Sequence, residues 1–259
     1  LLNVEAAAQL RHAGFAHPIV MLEGMFTRDE VADYVAQHLI PVLHQPEQLD
    51  WLLQADLPRP FDVWVKLNTG MNRLGFPPAQ LPQLLAQLQA SANVNRITLM
   101  THFANADIVG GADAQLCRFS SAVAGLDLQS SLANSAALID LPDTRADWVR
   151  PGIMLYGASP FAERSAAALG LQPVMTLHSR ILAVQEIDVG ERVGYGGTFV
   201  AQRPTRVGVV ACGYADGYPR HAPSGTPILV AGQPTRTLGR VSMDMLACDL
   251  TDLRAAGVG

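Results

Sequence analysis

Lysine is almost absent: Lys66 is the single lysine in 259 residues, although Lys and Arg together number 18. The formal net charge is −5, and no basic tract is interleaved with the sparse aromatics, which argues against a nucleic-acid surface. No apolar run approaches the roughly 18 residues that a membrane span requires, and the first residues do not read as a secretory signal. Cysteine is scarce too. Cys117, Cys212 and Cys248 are odd in number, far apart and without metal-ligand spacing. A disulfide framework and a zinc site are therefore not expected, and a reducing, cytoplasmic setting is. Charged residues make up only 16% against 49% hydrophobic, so the chain has ample material for a core.

What is present falls into two textures. Through residue 160, short apolar or β-branched runs recur at PIVML, IPVLH, VWVKL, RITLMTHF, QSSLAN and WVRPGIMLYG. Ala/Leu/Gln-rich stretches with helical spacing separate most of them. TRDE at 27–30 predicts a capping box, with Thr27 as cap and Glu30 reaching back. PPAQLPQLLAQLQAS predicts a helix with prolines in its first turns, where a missing N–H costs least. Strands alternating with helices imply a parallel sheet, and six such strands are more than half of a (β/α)8 barrel of the TIM type. From about residue 171, strand-like runs follow one another through Gly, Pro and Asp turns with no helix between, which predicts an all-β domain. The expected division is 1–165 for the α/β barrel and 166–259 for the β domain.

Active sites of parallel barrels gather at the C-terminal ends of the strands. Polar residues recur at that address here: Lys66 and Arg73, His102 and Asp107, Asn134 and Ser135, and Arg150. Each alone also reads as a structural histidine, a surface arginine or a turn residue; the repetition is the signal. Arg73, Arg150, Ser135 and the amides after Pro151 suit an anion, such as a phosphate together with a carboxylate.

The motifs VWVKLNTGMNRLGF, THFANAD, WVRPGIMLYG, VGYGGTF, CGYADGYPR and GRVSMDM, in this order, resemble alanine racemase, a pyridoxal 5′-phosphate enzyme. The resemblance implies a barrel followed by a β-rich domain, alanine as substrate, and a homodimer with shared active sites. A barrel-type decarboxylase and a non-catalytic cofactor carrier are the alternatives; the VGYGGTF and RPGIMLYG motifs and the β domain argue against them. The family's cofactor-binding lysine lies on its first barrel strand, so that strand, its neighbour and the last part of the β domain are expected outside these residues. Lys66 matches a different lysine, one that can be carbamylated and then orients the arginine matching Arg73. Asn68 stands where an Asp is usual.

The same resemblance implies Tyr195 as the catalytic tyrosine, acting on the partner subunit's substrate, with His102 and Arg150 supporting its anion. Arg150 would face the pyridine nitrogen and, as a guanidinium, keep it unprotonated. Ser135, Gly152 and Ile153 match the phosphate cradle. Arg73, Tyr214 and Met243 match substrate-side positions, and Asp107, Arg220 and Arg240 the entry corridor. No metal is implied.

Overall fold

The computed structural model describes residues Leu1–Gly259. The chain divides into two compact units, Leu1–Met175 and Thr176–Gly259. The first alternates helix and strand: α1 (Val4–His12), β1 (Ile19–Met21), α2 (Glu30–Gln37), β2 (Leu39–Leu43), α3 (Pro46–Leu53), β3 (Phe61–Lys66), α4 (Leu81–Gln89), β4 (Val94–Met100), α5 (Asp113–Val123), β5 (Gln129–Ser131) and α6 (Ser135–Asp140). All five strands pair in parallel, in the order β1-β2-β3-β4-β5. This is an arc of a (β/α)8 barrel, as the alternation predicts.

Two local expectations fail. The run Trp148–Gly157 is not a strand: only a parallel bridge from Ser131 to Trp148 forms, and Ile153–Tyr156 turn into a 3₁₀ helix. Pro151 has no N–H for a ladder, and Gly152 has no side chain to hold an extended backbone. The predicted capping box is also displaced. The helix starts at Glu30 behind Asp29, and the Glu30 carboxylate accepts from the Phe26 N–H at 2.8 Å instead of the Thr27 N–H. The prolines of α4 lie where expected, in a 3₁₀ turn at Pro78–Gln80 and in the first helical turn.

Side chains of β3 alternate between two cores. Val63 and Val65 face the helices and pack among Leu52, Leu84, Leu88, Ile97, Leu99 and Phe119. Trp64 faces the other way and packs with Val42 and Met100 beneath Trp148. The two indoles meet edge to face, with ring centroids 5.6 Å apart. Full burial of each such side chain stabilises by about 1.5–3 kcal/mol. Lys66 therefore shares the face of Trp64, and that parity places its ammonium inside the arc.

The second unit is antiparallel. Its strands are β6 (Ile181–Ile187), β7 (Arg192–Val193), β8 (Phe199–Val200), β9 (Thr205–Val210), β10 (Pro227–Val230), β11 (Gln233–Leu238) and β12 (Leu246–Asp249). Five form a sheet in the order β10-β11-β12-β9-β6, and β7 pairs with β8. A small core of Ile181, Cys248 and Leu250 lies against this sheet, and Gly208 leaves room for it. No helix is long and apolar enough to cross a membrane.

Candidate active site

Four positions, three at the ends of β2, β3 and β4 and one after the bridge at Trp148, repeat one pattern: an apolar residue, then a basic one two positions on. The pairs are Val42 and His44, Trp64 and Lys66, Met100 and His102, and Trp148 and Arg150. The four apolar members form the inner core. The basic members continue the same faces one pleat further, so the arc changes from apolar to basic within one residue pair.

Lys66 is 7% exposed. The loop after it returns at once: the Phe76 N–H donates to the Lys66 carbonyl at 2.8 Å, and the Asn68 N–H to the Phe76 carbonyl at 2.9 Å. Gly75 permits this return. Its φ is +121°, and a Cβ there would lie 2.8 Å from the Asn68 nitrogen. The returning loop brings Arg73 to the pocket that Lys66, Asn68 and His102 also line. Burial, then the charges of Arg73 and Arg150, lower the Lys66 ammonium to about 8. His102 is pushed down to about 4 by burial, and next by Arg150, Arg73 and Lys66, so its imidazole is neutral at neutral pH.

Arg150 is held from three sides. Its Nη1 donates to the Ser131 hydroxyl at 2.5 Å, and its Nη2 to the carbonyls of Thr101 at 2.5 Å and Leu132 at 3.2 Å. Burial lowers it to about 10, still a cation at neutral pH. Neither Lys66, Arg73 nor Arg150 takes part in a salt bridge; the molecule's three ion pairs lie elsewhere. Such a set of cations without matching carboxylates suits a ligand that brings its own negative charge.

Ser135 opens α6 behind Asn134, whose side chain caps the Ala137 N–H at 3.1 Å. The Ser135 hydroxyl accepts from the Gly152 N–H at 2.8 Å, which joins two of the three residues matched to a phosphate cradle. Ile153, the third, starts the 3₁₀ turn next to them.

The remaining residues except Asp107 lie in the second unit, around a concavity of about 710 Å³. Tyr195, Tyr214, Met243, Arg220 and Arg240 all line it. Tyr195 stands on a Gly-rich turn, with Gly194, Gly196 and Gly197 all at positive φ. Gly213 lets the Tyr214 turn rest on the Met243 loop: a Cβ would lie 2.1 Å from the Met243 carbonyl oxygen, where the Ala215 N–H now donates at 2.9 Å. Arg220 sits over the Tyr214 ring at 5.7 Å. Asp107 is exposed on the loop after β4, outside both cavities.

Sequence reasoning missed His44, Ser131 and the polar residues beneath the loops. His44 lies within 2.7 Å of the Glu23 carbonyl oxygen through Nε2, and burial first, with Lys66 contributing, lowers its pKa. The spacing of two from Val42 is the signal that would have found it.

These features are those of a barrel-type enzyme whose strand-end cations suit a small anionic ligand. Family models of the alanine racemase N-terminal and C-terminal domains match residues 1–160 and 174–259. Alanine racemase from Thiobacillus denitrificans is 56% identical over 259 residues, covering 100% of this chain and 71% of that protein. The Laribacter hongkongensis alanine racemase is 56% identical over 253 residues, 98% of this chain and 70% of its own. The crystal structure of biosynthetic alanine racemase from Pseudomonas aeruginosa superposes with a TM-score of 0.93 at 48% identity, covering 100% of this chain and 73% of that one. The chain belongs to the alanine racemase family.

Proposed function

We propose that this chain interconverts L-alanine and D-alanine with pyridoxal 5′-phosphate, as a cytoplasmic homodimer with shared active sites. The observation that carries the reading is Arg150: a half-buried guanidinium fixed by three hydrogen bonds, beside a neutral His102 and without a carboxylate partner. The residues present fit the cofactor. The Ser135 hydroxyl, whose oxygen accepts from the Gly152 N–H, and the amide of Ile153 would offer donors to a phosphate, and Arg150 would offer the ring nitrogen a donor that does not part with its proton. When bound, the cofactor supplies an electron sink for the electrons released at the substrate Cα.

Arg150 would limit that sink, since a guanidinium beside the ring nitrogen would keep its own proton. Short-lived negative charge at Cα favours return of a proton over side reactions. Racemisation needs a proton taken from one face and given back on the other, hence two groups. Tyr195 serves one face, and the family's cofactor lysine the other. A phenol is a weak base at neutral pH unless neighbours stabilise its anion, and cationic strand ends suit a phenolate neighbour. Arg73 binds the substrate carboxylate. Tyr195, Tyr214 and Met243 of one subunit serve the strand-end site of the other, and Asp107, Arg220 and Arg240 line the approach. The test is incubation of the complete protein with the cofactor and L-alanine. D-alanine should accumulate toward equal amounts of the two enantiomers; release of carbon dioxide without D-alanine would replace this reading by a decarboxylase.

A further inference from the structure

Beneath the two loops that carry Arg73 and His102 lies a buried amide with every one of its polar contacts inside the protein. Gln115, on α5, is 6% exposed. Its Oε1 accepts from the Ala104 N–H at 2.8 Å, and its Nε2 donates to the His102 carbonyl at 3.0 Å and to the Thr69 hydroxyl at 3.2 Å. The first two contacts hold the loop after β4. The third holds the loop after β3, 46 residues away in sequence.

Thr69 is in turn tied to the arginine side of the site. Its hydroxyl lies 2.7 Å from that of Thr101, which donates to the Leu67 carbonyl at 3.1 Å, and the Thr101 carbonyl accepts from Arg150. Arg118, one turn further along α5, donates to the Thr69 carbonyl at 2.8 Å. Helix α5 is thus pinned to both loops by side chains on one face. Gly70 allows the close approach, since a Cβ there would lie 3.0 Å from Arg118 Nη1 and 3.3 Å from Gln115 Cγ.

We propose that Gln115 is a positioning residue that clamps the Arg73 loop to the His102 loop and thereby sets the geometry of both groups. The proposal rests on the racemase reading for its kinetic consequence only. A primary amide is the group this position needs. One acceptor and two donors match one N–H, one carbonyl and one hydroxyl, whereas a carboxylate would meet the His102 carbonyl with like partial charge. A displacement of about 1 Å in a catalytic group can cost up to about 10²-fold in rate.

The experiment compares Gln115→Leu, Gln115→Glu and Thr69→Val with wild type in the complete, cofactor-loaded protein. Two readouts are taken: kcat and KM for alanine, and the NMR titration of the His102 imidazole. The proposal expects kcat to fall about 10- to 100-fold in Gln115→Leu and Gln115→Glu. It expects the His102 titration to move up from near 4 toward its ordinary value of 6.5 as the loosened loop admits water. Thr69→Val should give a smaller loss that does not add to that of Gln115→Leu, because the two changes break one link. Loss of thermal stability with kcat per folded site and the His102 titration both unchanged would overturn the proposal. If wild type does not racemise alanine, that reading fails, and the titration alone still decides the clamp. If Gln115→Leu does not fold, Thr69→Val decides: an unmoved His102 titration with unchanged kcat overturns the clamp.

Discussion

Arg150 and Ser131 are cross-linked across the site: the guanidinium Nη1 donates to the hydroxyl at 2.5 Å, from the segment after the bridge at Trp148 to the end of β5. Ser131 has no exposed surface, and its hydroxyl in turn donates to the Trp148 carbonyl at 2.9 Å. Ser131→Ala leaves a half-buried cationic N–H without this partner, which should cost about 1–3 kcal/mol of stability. Urea denaturation should show the lowered midpoint, and racemisation should fall by roughly 10-fold or more as Arg150 loses one of its three anchors. Unchanged rates with full cofactor binding would mean that the other two bonds suffice.

His102 makes stability depend on pH in a defined window. Its folded value of about 4 lies below the ordinary 6.5, so between these limits the unfolded chain binds a proton that the folded chain refuses. Its contribution is complete above pH 6.5 and is lost as pH falls toward 4. His102→Gln should therefore lose less thermal stability than wild type between pH 7 and 4.5. Parallel melting curves for the two proteins across that range would contradict the assignment.

Much of this architecture was legible in the chain. Five of the six apolar runs are parallel strands, and their spacing named the barrel side of the site. Lys66, His102 and Arg150 were legible because polar residues recur at the ends of successive apolar runs, and the structure sets them two residues past Trp64, Met100 and Trp148. Gln115, Ser131 and Thr101 were not, because they act through bonds to main chain and hydroxyls far away in sequence, which leave no periodic trace. The displaced cap at Glu30 shows the same limit: a four-residue motif cannot say which N–H the returning chain presents.

Lys66 should carry a carbamate. Carbamylation needs the neutral amine, and an ammonium lowered to about 8 is unprotonated in roughly a tenth of molecules at pH 7. The resulting anion would face Arg73 across their shared pocket and relieve the repulsion between the two cations. Asn68, whose side chain is engaged with Asn72 and Gly70, brings no charge of its own. Labelled bicarbonate should give a carbonyl carbon resonance that Lys66→Met abolishes. An isolated spherical peak in electron density between Lys66, Asn68 and Arg73 would instead identify a bound halide.

Tyr195→Phe should lower kcat by about 10²–10⁴-fold in both directions while leaving cofactor absorbance in place. The loss in kcat/KM must be equal from either enantiomer, because their equilibrium constant is fixed. The asymmetry appears in exchange of the α-hydrogen with solvent: one enantiomer should continue to exchange and the other should stop. Equal residual exchange from both would remove Tyr195 from its proposed role.

The most direct test of two-group racemisation is turnover in deuterium oxide by the complete, cofactor-loaded protein. From the first turnovers, D-alanine formed from L-alanine should carry deuterium at Cα, while the remaining L-alanine stays largely protiated. D-alanine that retains the hydrogen of its parent molecule would contradict the account.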